Sequence, residues 1–342
     1  MTEPIKLLID TDPGVDDAIA ILMALAAPNV EVVGLTSVGG NVPLARSTRN
    51  ALALLQVTGH GDIPLSKGAS RPLKGKFKYA PQFHGSGGLS IRLPDPNITP
   101  MCQDAIEFLN NQIAHGPKQI ILLALGPLTN IARLLCKYPH SLEQVKNIVV
   151  MGGAVNVPGN VTPYAEFNIY SDPHAAEIVF SSGLPLTLID LAACRQVSID
   201  RKAALALRAQ CPLGRLGLDL LQRWFMKEPS RQRFEFYDPL AMAVALDPTI
   251  ATVTKLDLDI GLEKNERRGV TREPGGPGQI SLLENVDSSR FFMVFGNLLE
   301  LKGLLTAREI SPRNNRYGNI RAHVLTCSID QGKQFPLELA GG

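Results

Sequence analysis

Four aspartates stand close together near the N-terminus: Asp10, Asp12, Asp16 and Asp17. A short apolar run ends at the first, a Pro-Gly pair then predicts a turn, and the last two open a helical pattern. So many neighbouring carboxylates raise one another's pKa values and strain the fold unless a cation neutralises them. Oxygen ligands suit a hard ion such as Ca²⁺ or Mg²⁺, and no His or Cys stands nearby to favour zinc. The segment therefore predicts a metal site.

Helix capping is the structural alternative for part of this cluster. Acidic side chains are favoured at helix N-termini, so Asp12 or Asp16 could cap the helix that follows the turn. A cap accounts for one aspartate or two but not for four. The spacing therefore favours the metal interpretation.

A phosphatase is the chemical alternative. A hydrophobic strand ending in Asp-x-Asp also opens haloacid-dehalogenase-type phosphatases, with the first Asp as nucleophile and the second as acid/base. That reaction needs a later strand ending in Ser or Thr, a Lys and a further acidic pair. The only other predicted strand that ends in an acid does so at Asp190, and no acidic pair follows it. This alternative is the weaker one.

The elements around the cluster alternate between strands and helices, which is typical of an α/β fold with an open, mostly parallel sheet flanked by helices. Strands are predicted over residues 5–10, 30–38, 119–125, 147–151 and 185–190. Helices are predicted over residues 16–27, 43–58, 102–114, 129–138 and 173–182, and from residue 200 onward over 201–210, 213–226 and 238–246. Gly- and Pro-rich loops at 68–100 and 152–163 interrupt the alternation, and such loops commonly carry ligand sites.

Composition excludes several classes of protein. The 342 residues include 34 Lys and Arg against 32 Asp and Glu, a net charge of +2, which argues against a nucleic-acid partner. The longest apolar stretch near the N-terminus, 19–27, is too short to span a membrane. The five cysteines are scattered without a CxxC pair, so we expect neither a disulfide framework nor a zinc site. These features predict a cytoplasmic protein without a membrane partner.

Six segments in order resemble the inosine-uridine-preferring nucleoside hydrolases. They are DTDPGVDDA (10–18), GGN (39–41), LGPLTN (125–130), MGGA (151–154), NVTPYAEFN (160–168) and YDP (237–239). The resemblance extends over residues 5–300 or so and implies an open α/β sheet. It also implies hydrolysis of the N-glycosidic bond of ribonucleosides to free base and ribose.

The resemblance implies a Ca²⁺ cofactor at the bottom of the pocket. The residues that match its protein ligands are Asp12, Asp17, Asp238 and the backbone carbonyl of Leu125. An ion with this set keeps coordination positions for a water and for two ribose hydroxyls. Asp12 also matches the general base that deprotonates the attacking water. The bare sequence favours Asp238 as a helix cap before Pro239, so we expect a ligand that also caps.

Other positions match residues that bind the ribose. They are Asp16, Asn41, Met151, Asn160, Glu166 and Asn168. Asn160 follows Pro-Gly and could equally be a turn residue. Glu166 and Asn168 would face the same side if their segment is extended, as a shared sugar contact needs.

The leaving-group end departs from the family pattern. Many members carry His before the last metal-binding Asp, whereas Tyr237 stands here, and a phenol with a reference pKa near 10 is a poorer acid at neutral pH. Three roles are therefore open to Tyr237: it protonates the base, stacks on the base, or only packs beside Phe236. His84 lies in a Gly-rich loop, HGSGGL, which favours a pocket role because such a loop offers no core. If the protein cannot protonate the departing base because Tyr237 replaces the histidine, it binds nucleosides without cleaving them.

The resemblance also bounds the domain. Residues 1–302 are predicted to form one nucleoside-hydrolase-like domain, and 303–342 a C-terminal extension without a recognisable pattern. Relatives of this type suggest a homodimer or homotetramer. The sequence leaves the preference between purine and pyrimidine ribosides open.

Overall fold

The strands of this computed structural model are given for its described residues, 3–275 and 278–304. In chain order they are β1 (Ile5–Thr11), β2 (Val30–Ser37), β3 (Leu65–Lys67), β4 (Ile120–Ala124), β5 (Asn147–Met151), β6 (Leu186–Ile189), β7 (Ser198–Asp200), β8 (Arg208–Ala209), β9 (Arg233–Glu235), β10 (Ala251–Leu256), β11 (Asp259–Ile260), β12 (Thr271–Arg272), β13 (Ile280–Val286) and β14 (Leu301–Lys302). Eight of them form the central sheet, in the order β10-β13-β6-β5-β4-β1-β2-β3.

Helices cover both faces of this sheet. They are α1 (Val15–Ala26), α2 (Leu44–Val57), α3 (Pro81–His84), α4 (Ala105–His115), α5 (Thr129–Lys137), α6 (Phe167–Ser171), α7 (Pro173–Phe180), α8 (Leu191–Cys194), α9 (Arg201–Ala206), α10 (Pro212–Lys227), α11 (Tyr237–Leu246) and α12 (Ser288–Leu298). Two 3₁₀ helices span Leu142–Gln144 and Pro248–Ile250.

The residues of β1 explain why this strand lies inside the sheet. Leu7, Leu8 and Ile9 are wholly inaccessible to solvent. Leu7 and Ile9 pack into the core under α1, α10 and α11, whereas Leu8 packs into the opposite core under α4 and α5. A strand that is apolar at successive positions can bury both of its faces in this way.

Strand pairing brings the ends of several strands to one edge. β1 pairs in parallel with β2 on one side and with β4 on the other, and β4 pairs in parallel with β5. From β1 the chain continues to β2 on one side of β1, and it later returns to form β4 on the other side of β1. Ligands of open α/β sheets bind at such a switch point, beyond the carboxyl ends of the strands. The residues after β1, β4 and β5 are therefore placed around one crevice.

The predicted fold class is confirmed, and so are the five predicted strands, each within a residue or two of its observed bounds. The predicted helix 201–210 is wrong in its second half, where Leu207 ends α9 and β8 follows. The helical interpretation after residue 200 also missed β10 and β13. The alternation of β13 is interrupted by the polar Glu284 and Asn285, and β10 is exposed along most of its length. Neither strand therefore carries the buried apolar run of the central ones.

Two predictions concern the limits of the fold. Within the described part of the chain, none of the helices combines the length and the apolar character that crossing a bilayer requires. The C-terminal extension predicted for 303–342 lies outside the described residues, apart from Gly303 and Leu304. That residues 1–302 form one domain stays a prediction.

Candidate active site

The acidic cluster lies where β1 turns into α1. Asp12 and Asp17 are wholly buried, and Asp16 is 6% exposed. Asp17 is held by the hydroxyl of Thr11, which donates to Oδ1 over 2.5 Å, and by the backbone N–H of Gly14, which donates to Oδ2 over 2.9 Å. Asp17, rather than Asp12 or Asp16, therefore caps the start of α1, and the capping alternative accounts for one aspartate.

Asp12 is fixed on one side by the Gly-Gly-Asn segment after β2. The backbone N–H of Asn41 donates to Asp12 Oδ2 over 2.5 Å, and the Asn41 side chain donates to Asp17 Oδ2 over 3.1 Å. A Cβ on Gly40 would collide with Asp12 Oδ2, and a Cβ on Gly126 would lie 2.6 Å from Oδ1. Only glycine leaves room for the carboxylate at both positions.

Asp238 reaches the same place from the first turn of α11. The cap residue of α11 is Phe236, whose side chain makes no capping hydrogen bond, so the expectation that Asp238 also caps is wrong. Its side chain points instead at the β1 turn, and one oxygen each from Asp16, Asp17 and Asp238 lie within 4.8 Å of one another. Among the described residues, they are the only group of His, Cys, Asp or Glu side chains close enough together to hold a metal ion. The family resemblance had implied that Asp12 is a metal ligand and that Asp16 binds the ribose.

Burial dominates the electrostatics of this cluster. Burial first, and the neighbouring carboxylates after it, Asp17 foremost, raise the pKa of Asp16 to about 8 and the pKa values of Asp12 and Asp238 well above their usual range. Asp12 Oδ1 and Asp16 Oδ1 are buried without a hydrogen-bond partner among the described residues. Buried carboxylate oxygens without partners are costly unless a cation binds them. The cluster therefore fits a hard divalent ion.

Asp10, the fourth aspartate, has a different position. Its Oδ1 accepts hydrogen bonds from the Thr36 hydroxyl over 2.6 Å and from the Asn130 amide over 2.7 Å. Burial raises its pKa to about 7, against the effect of these two hydrogen bonds. Asp10 does not line the pocket and ties β1 to β2 and α5 beneath it.

The segment after β5 supplies a second wall. Glu166 is the cap of α6 and accepts from the backbone N–H groups of Gly153, Asn168 and Ile169 over 2.8–3.1 Å. Burial raises the pKa of Glu166 to about 7, although these hydrogen bonds lower it. The expected extended geometry of Glu166 and Asn168 is wrong, because Asn168 lies in the first turn of α6. Both side chains nonetheless line the same cavity.

Asn168 connects this wall to the end of β4. Its side-chain amide donates to the carbonyl oxygen of Leu125 over 2.7 Å and to that of Met151 over 3.2 Å. Asn160 forms a turn in which its N–H donates to the Ala165 carbonyl over 3.1 Å. Leu125, Met151 and Asn160 all line the cavity. Asn160 is therefore both a turn residue and a residue that lines the cavity.

His84 lies beside the acidic cluster, with Nδ1 3.7 Å from Asp16 Oδ1, and the expectation that its loop offers no core is wrong. It is 5% exposed, because it ends the short helix α3 and packs against Gly14. Its Nδ1 accepts the backbone N–H of Val15 over 3.1 Å, which leaves the proton of the neutral ring on Nε2. Burial, with Arg231 adding to it, lowers the pKa of His84 to about 3. His84 is therefore neutral at physiological pH and can donate a hydrogen bond without being an imidazolium acid.

Tyr237 is paired with a residue that the sequence did not single out. Its hydroxyl donates to Glu235 Oε2 over 2.7 Å, and burial, followed by the charge of Glu235, raises the pKa of Tyr237. The ring centroid lies 6.2 Å from that of Phe83. The phenol is thus a weaker acid than a free tyrosine and belongs to an aromatic wall.

Arg231 and Trp224 hold this wall in place. The guanidinium of Arg231 lies 4.2 Å from the Trp224 ring centroid and donates to the carbonyl oxygens of Gln82 and Phe83. The indole N–H of Trp224 also donates to the Phe83 carbonyl over 2.9 Å. These two residues therefore position the segment that carries Phe83 and His84.

The cavity has a volume of about 410 Å³. Ten of the site residues expected from the sequence line it: Asp16, Asn41, His84, Leu125, Met151, Asn160, Glu166, Asn168, Tyr237 and Asp238. Asp16 and Asp238 form its acidic floor, whereas Asp12 and Asp17 do not line it and are buried beneath, where Asn41 donates hydrogen bonds to both. The sequence gave no role to the other lining residues, which are Lys78, Tyr79, Ala80, Gln82, Phe83, Val161, Phe167 and Tyr170.

The family model described as inosine-uridine preferring nucleoside hydrolase matches residues 7–293. The chain belongs to this family. It is a nucleoside hydrolase, a glycosidase that hydrolyses the N-glycosidic bond of ribonucleosides. Membership decides against the phosphatase and the non-catalytic binding protein.

Relatives of this nucleoside hydrolase agree with the assignment. The chain is 40% identical to the probable uridine nucleosidase 2 of Oryza sativa subsp. japonica, over 78% of this chain and 80% of that protein. Among solved structures, a plant nucleoside hydrolase superposes with a TM-score of 0.80 at 30% identity, over 86% of this chain and 99% of that one. The purine-preferring ribonucleoside hydrolase from Gardnerella vaginalis gives a TM-score of 0.77 at 31% identity, over 86% and 98% of the two chains.

Proposed function

We propose that this nucleoside hydrolase works with Ca²⁺ held by Asp12, Asp17, Asp238 and the carbonyl oxygen of Leu125. The buried carboxylate oxygens without partners and the raised pKa values of the cluster carry this proposal. A bound Ca²⁺ supplies a water of lowered pKa and an anchor for two ribose hydroxyls. The Leu125 carbonyl has a second lone pair beside the one that accepts from Asn168.

Asp12 is the general base in this proposal. Its Oδ2 is occupied by the N–H of Asn41, so Oδ1 is the oxygen that takes the proton of the attacking water. Geometry comes before pKa in choosing a base, and Oδ1 has no competing donor among the described residues. A carboxylate so placed would also stabilise the positive charge that develops on the ribose.

The ribose hydroxyls are bound by Asp16, Asn41, Met151, Asn160, Glu166 and Asn168. Glu166 is rigid because its two oxygens accept backbone N–H groups, and a rigid acceptor loses little entropy when sugar binds. The base lies against Phe83, His84 and Tyr237, where the Nε2–H of His84 is the donor available to it.

Tyr237 contributes stacking rather than a proton, because its hydroxyl hydrogen is donated to Glu235 and its pKa is raised. We expect Tyr237→Phe to keep kcat/KM within about fivefold on both a riboside with a poor leaving group and one with a good leaving group. Tyr237→Ala should lose more on both, since it removes the ring. Steady-state release of base measures each rate.

If Tyr237 were the general acid, its replacement would affect the two substrates differently. If Tyr237 protonates the leaving base, Tyr237→Phe loses rate on the poor leaving group alone. Tyr79→Phe is the matched control, because Tyr79 lines the same cavity and is 44% exposed. A selective loss in Tyr237→Phe but not in Tyr79→Phe would contradict the stacking role.

Uridine is the first substrate to test, because the rice relative is named for uridine, and inosine is the second, because the Gardnerella structure is purine-preferring. The purified protein with Ca²⁺ should release free base and ribose from at least one riboside in a panel of uridine, cytidine, inosine and adenosine. No base from any of the four would contradict the proposal.

Assembly and location complete the proposal. We expect a homodimer or homotetramer, with no nucleic-acid partner, acting in the cytoplasm in nucleoside catabolism. Light scattering on the full chain measures the molar mass against the 37.0 kDa of one copy.

A further inference from the structure

A second, smaller cleft opens beside the nucleoside cavity and is lined by cations. Its volume is about 310 Å³. Five of the described residues that line it are basic and none is acidic: Lys74, Lys76, Lys78, Lys264 and Arg268. The chain as a whole carries a net charge of only +2, so this is a local concentration of positive charge. Such a concentration attracts an anion.

The cleft adjoins the nucleoside cavity, and two residues form their common border. Lys78 and Tyr170 line both spaces. The Lys78 ammonium donates to the Tyr170 hydroxyl over 2.6 Å, and Arg268 Nε donates to the Tyr170 carbonyl over 3.2 Å. Tyr170 is therefore held between a cation at the border of the two spaces and a cation inside the cleft.

The orientation of a riboside decides which of its atoms faces this border. Its two ring hydroxyls must face the carboxylates at the floor, and its base must face Phe83, His84 and Tyr237. The remaining substituent of the ribose is the 5′ carbon, which is then directed toward the rest of the lining, where Lys78 and Tyr170 border the cleft. A phosphate on that carbon would enter the basic cleft.

We propose that the basic cleft is a phosphate subsite and that ribonucleoside 5′-monophosphates are substrates beside the nucleosides. This inference rests on the proposed function and extends its substrate class. The reaction balances with water alone: the bond between C1′ and the base breaks, hydroxyl is added to C1′, and a proton goes to the base. The products are free base and ribose 5-phosphate.

A basic cleft elsewhere on the molecule provides a matched control. It is lined by Arg46, Arg92 and Lys227, together with the Arg49–Asp95 ion pair, and it shares no lining residue with the nucleoside cavity. A phosphate bound there would have no route to the ribose.

The experiment compares uridine with uridine 5′-monophosphate, and inosine with its 5′-monophosphate, in the full chain with Ca²⁺. Uracil or hypoxanthine is measured together with ribose 5-phosphate, which excludes prior dephosphorylation. The double variant Lys74→Gln/Lys264→Gln should lower kcat/KM for the monophosphates by about tenfold and leave the nucleosides within about twofold, because ionic hydrogen bonds to the phosphate are lost. Arg46→Gln/Arg92→Gln should change neither.

Three results would overturn the inference. Cleavage of nucleosides with no cleavage of their monophosphates would reject it and leave the proposed function intact. Equal losses in the two double variants would reject the subsite. Stabilisation of the wild type by inorganic phosphate in a thermal melt, without cleavage of monophosphates, would make the cleft a site for a free anion. If no nucleoside or monophosphate is cleaved, the proposed function fails as well.

Discussion

Asp12→Asn is expected to reduce base release by at least about a thousandfold while the protein stays folded. An asparagine has one acceptor oxygen, and the N–H of Asn41 occupies that oxygen in the present geometry. The amide NH₂ group then faces the position where the proton of water must be accepted. Initial rates of base release with Ca²⁺ measure the loss.

The same substitution should not destabilise the protein without divalent ions. Burial and the neighbouring carboxylates raise the pKa of Asp12, so ionised Asp12 opposes folding at neutral pH. A carboxyl with a raised folded pKa gives stability that is lost as pH rises, and asparagine imitates its protonated form. In the presence of chelator at pH 7, the melting temperature of Asp12→Asn should equal or exceed that of the wild type.

Asp190→Asn is the matched control. Asp190 is also wholly buried at the end of a strand, but it accepts the N–H of Ala193 at the start of α8 and the N–H of Val155, and it does not line the cavity. It should keep activity near the wild-type level. A variant of Asp12 that retains activity, or that is inactive because it no longer folds, would contradict the role of Asp12 as base.

The sequence was most informative where structure is decided locally. An apolar run such as 120–125 buries both faces of a strand whatever lies around it, so the central strands were predictable. The same holds for the carboxylates after β1, because a strand, a Pro-Gly turn and a helix start fix their relative position within a few residues. β10 and β13 lack such a run, and their place in the sheet depends on partners distant in sequence.

The rest of the site depends on contacts between distant segments. Lys78 and Tyr170 meet at a hydrogen bond across 92 positions, and Arg231 meets Phe83 across 148, so neither pair has a local signal. The pairing of Tyr237 with Glu235 is only two residues apart, but it crosses from a strand into a helix, and no single periodicity describes that step. The capping of α6 by Glu166 had no sequence signal either, because the residues preferred at a helix N-cap are Ser, Thr, Asp and Asn.

Ca²⁺ should stabilise the protein strongly, and Asp238→Asn should remove most of that effect. Binding at about 100 times the dissociation constant contributes about 2.7 kcal/mol, which raises the melting temperature of a domain of this size by about 5 °C or more. The gain arises because the ion relieves the repulsion among buried carboxylates and binds oxygens without partners. Thermal melts with and without chelator measure it, alongside base release.

Asp247→Asn provides the control for this second experiment. Asp247 also stands immediately before a proline, yet it caps a 3₁₀ helix and pairs with Arg290 away from the cavity. It should keep both the Ca²⁺-dependent shift and the activity. Mg²⁺ should shift the melting temperature less than Ca²⁺, because it demands a stricter octahedral geometry. A full Ca²⁺ shift in Asp238→Asn, or activity that persists after exhaustive chelation, would show that the carboxylate cluster does not hold the ion.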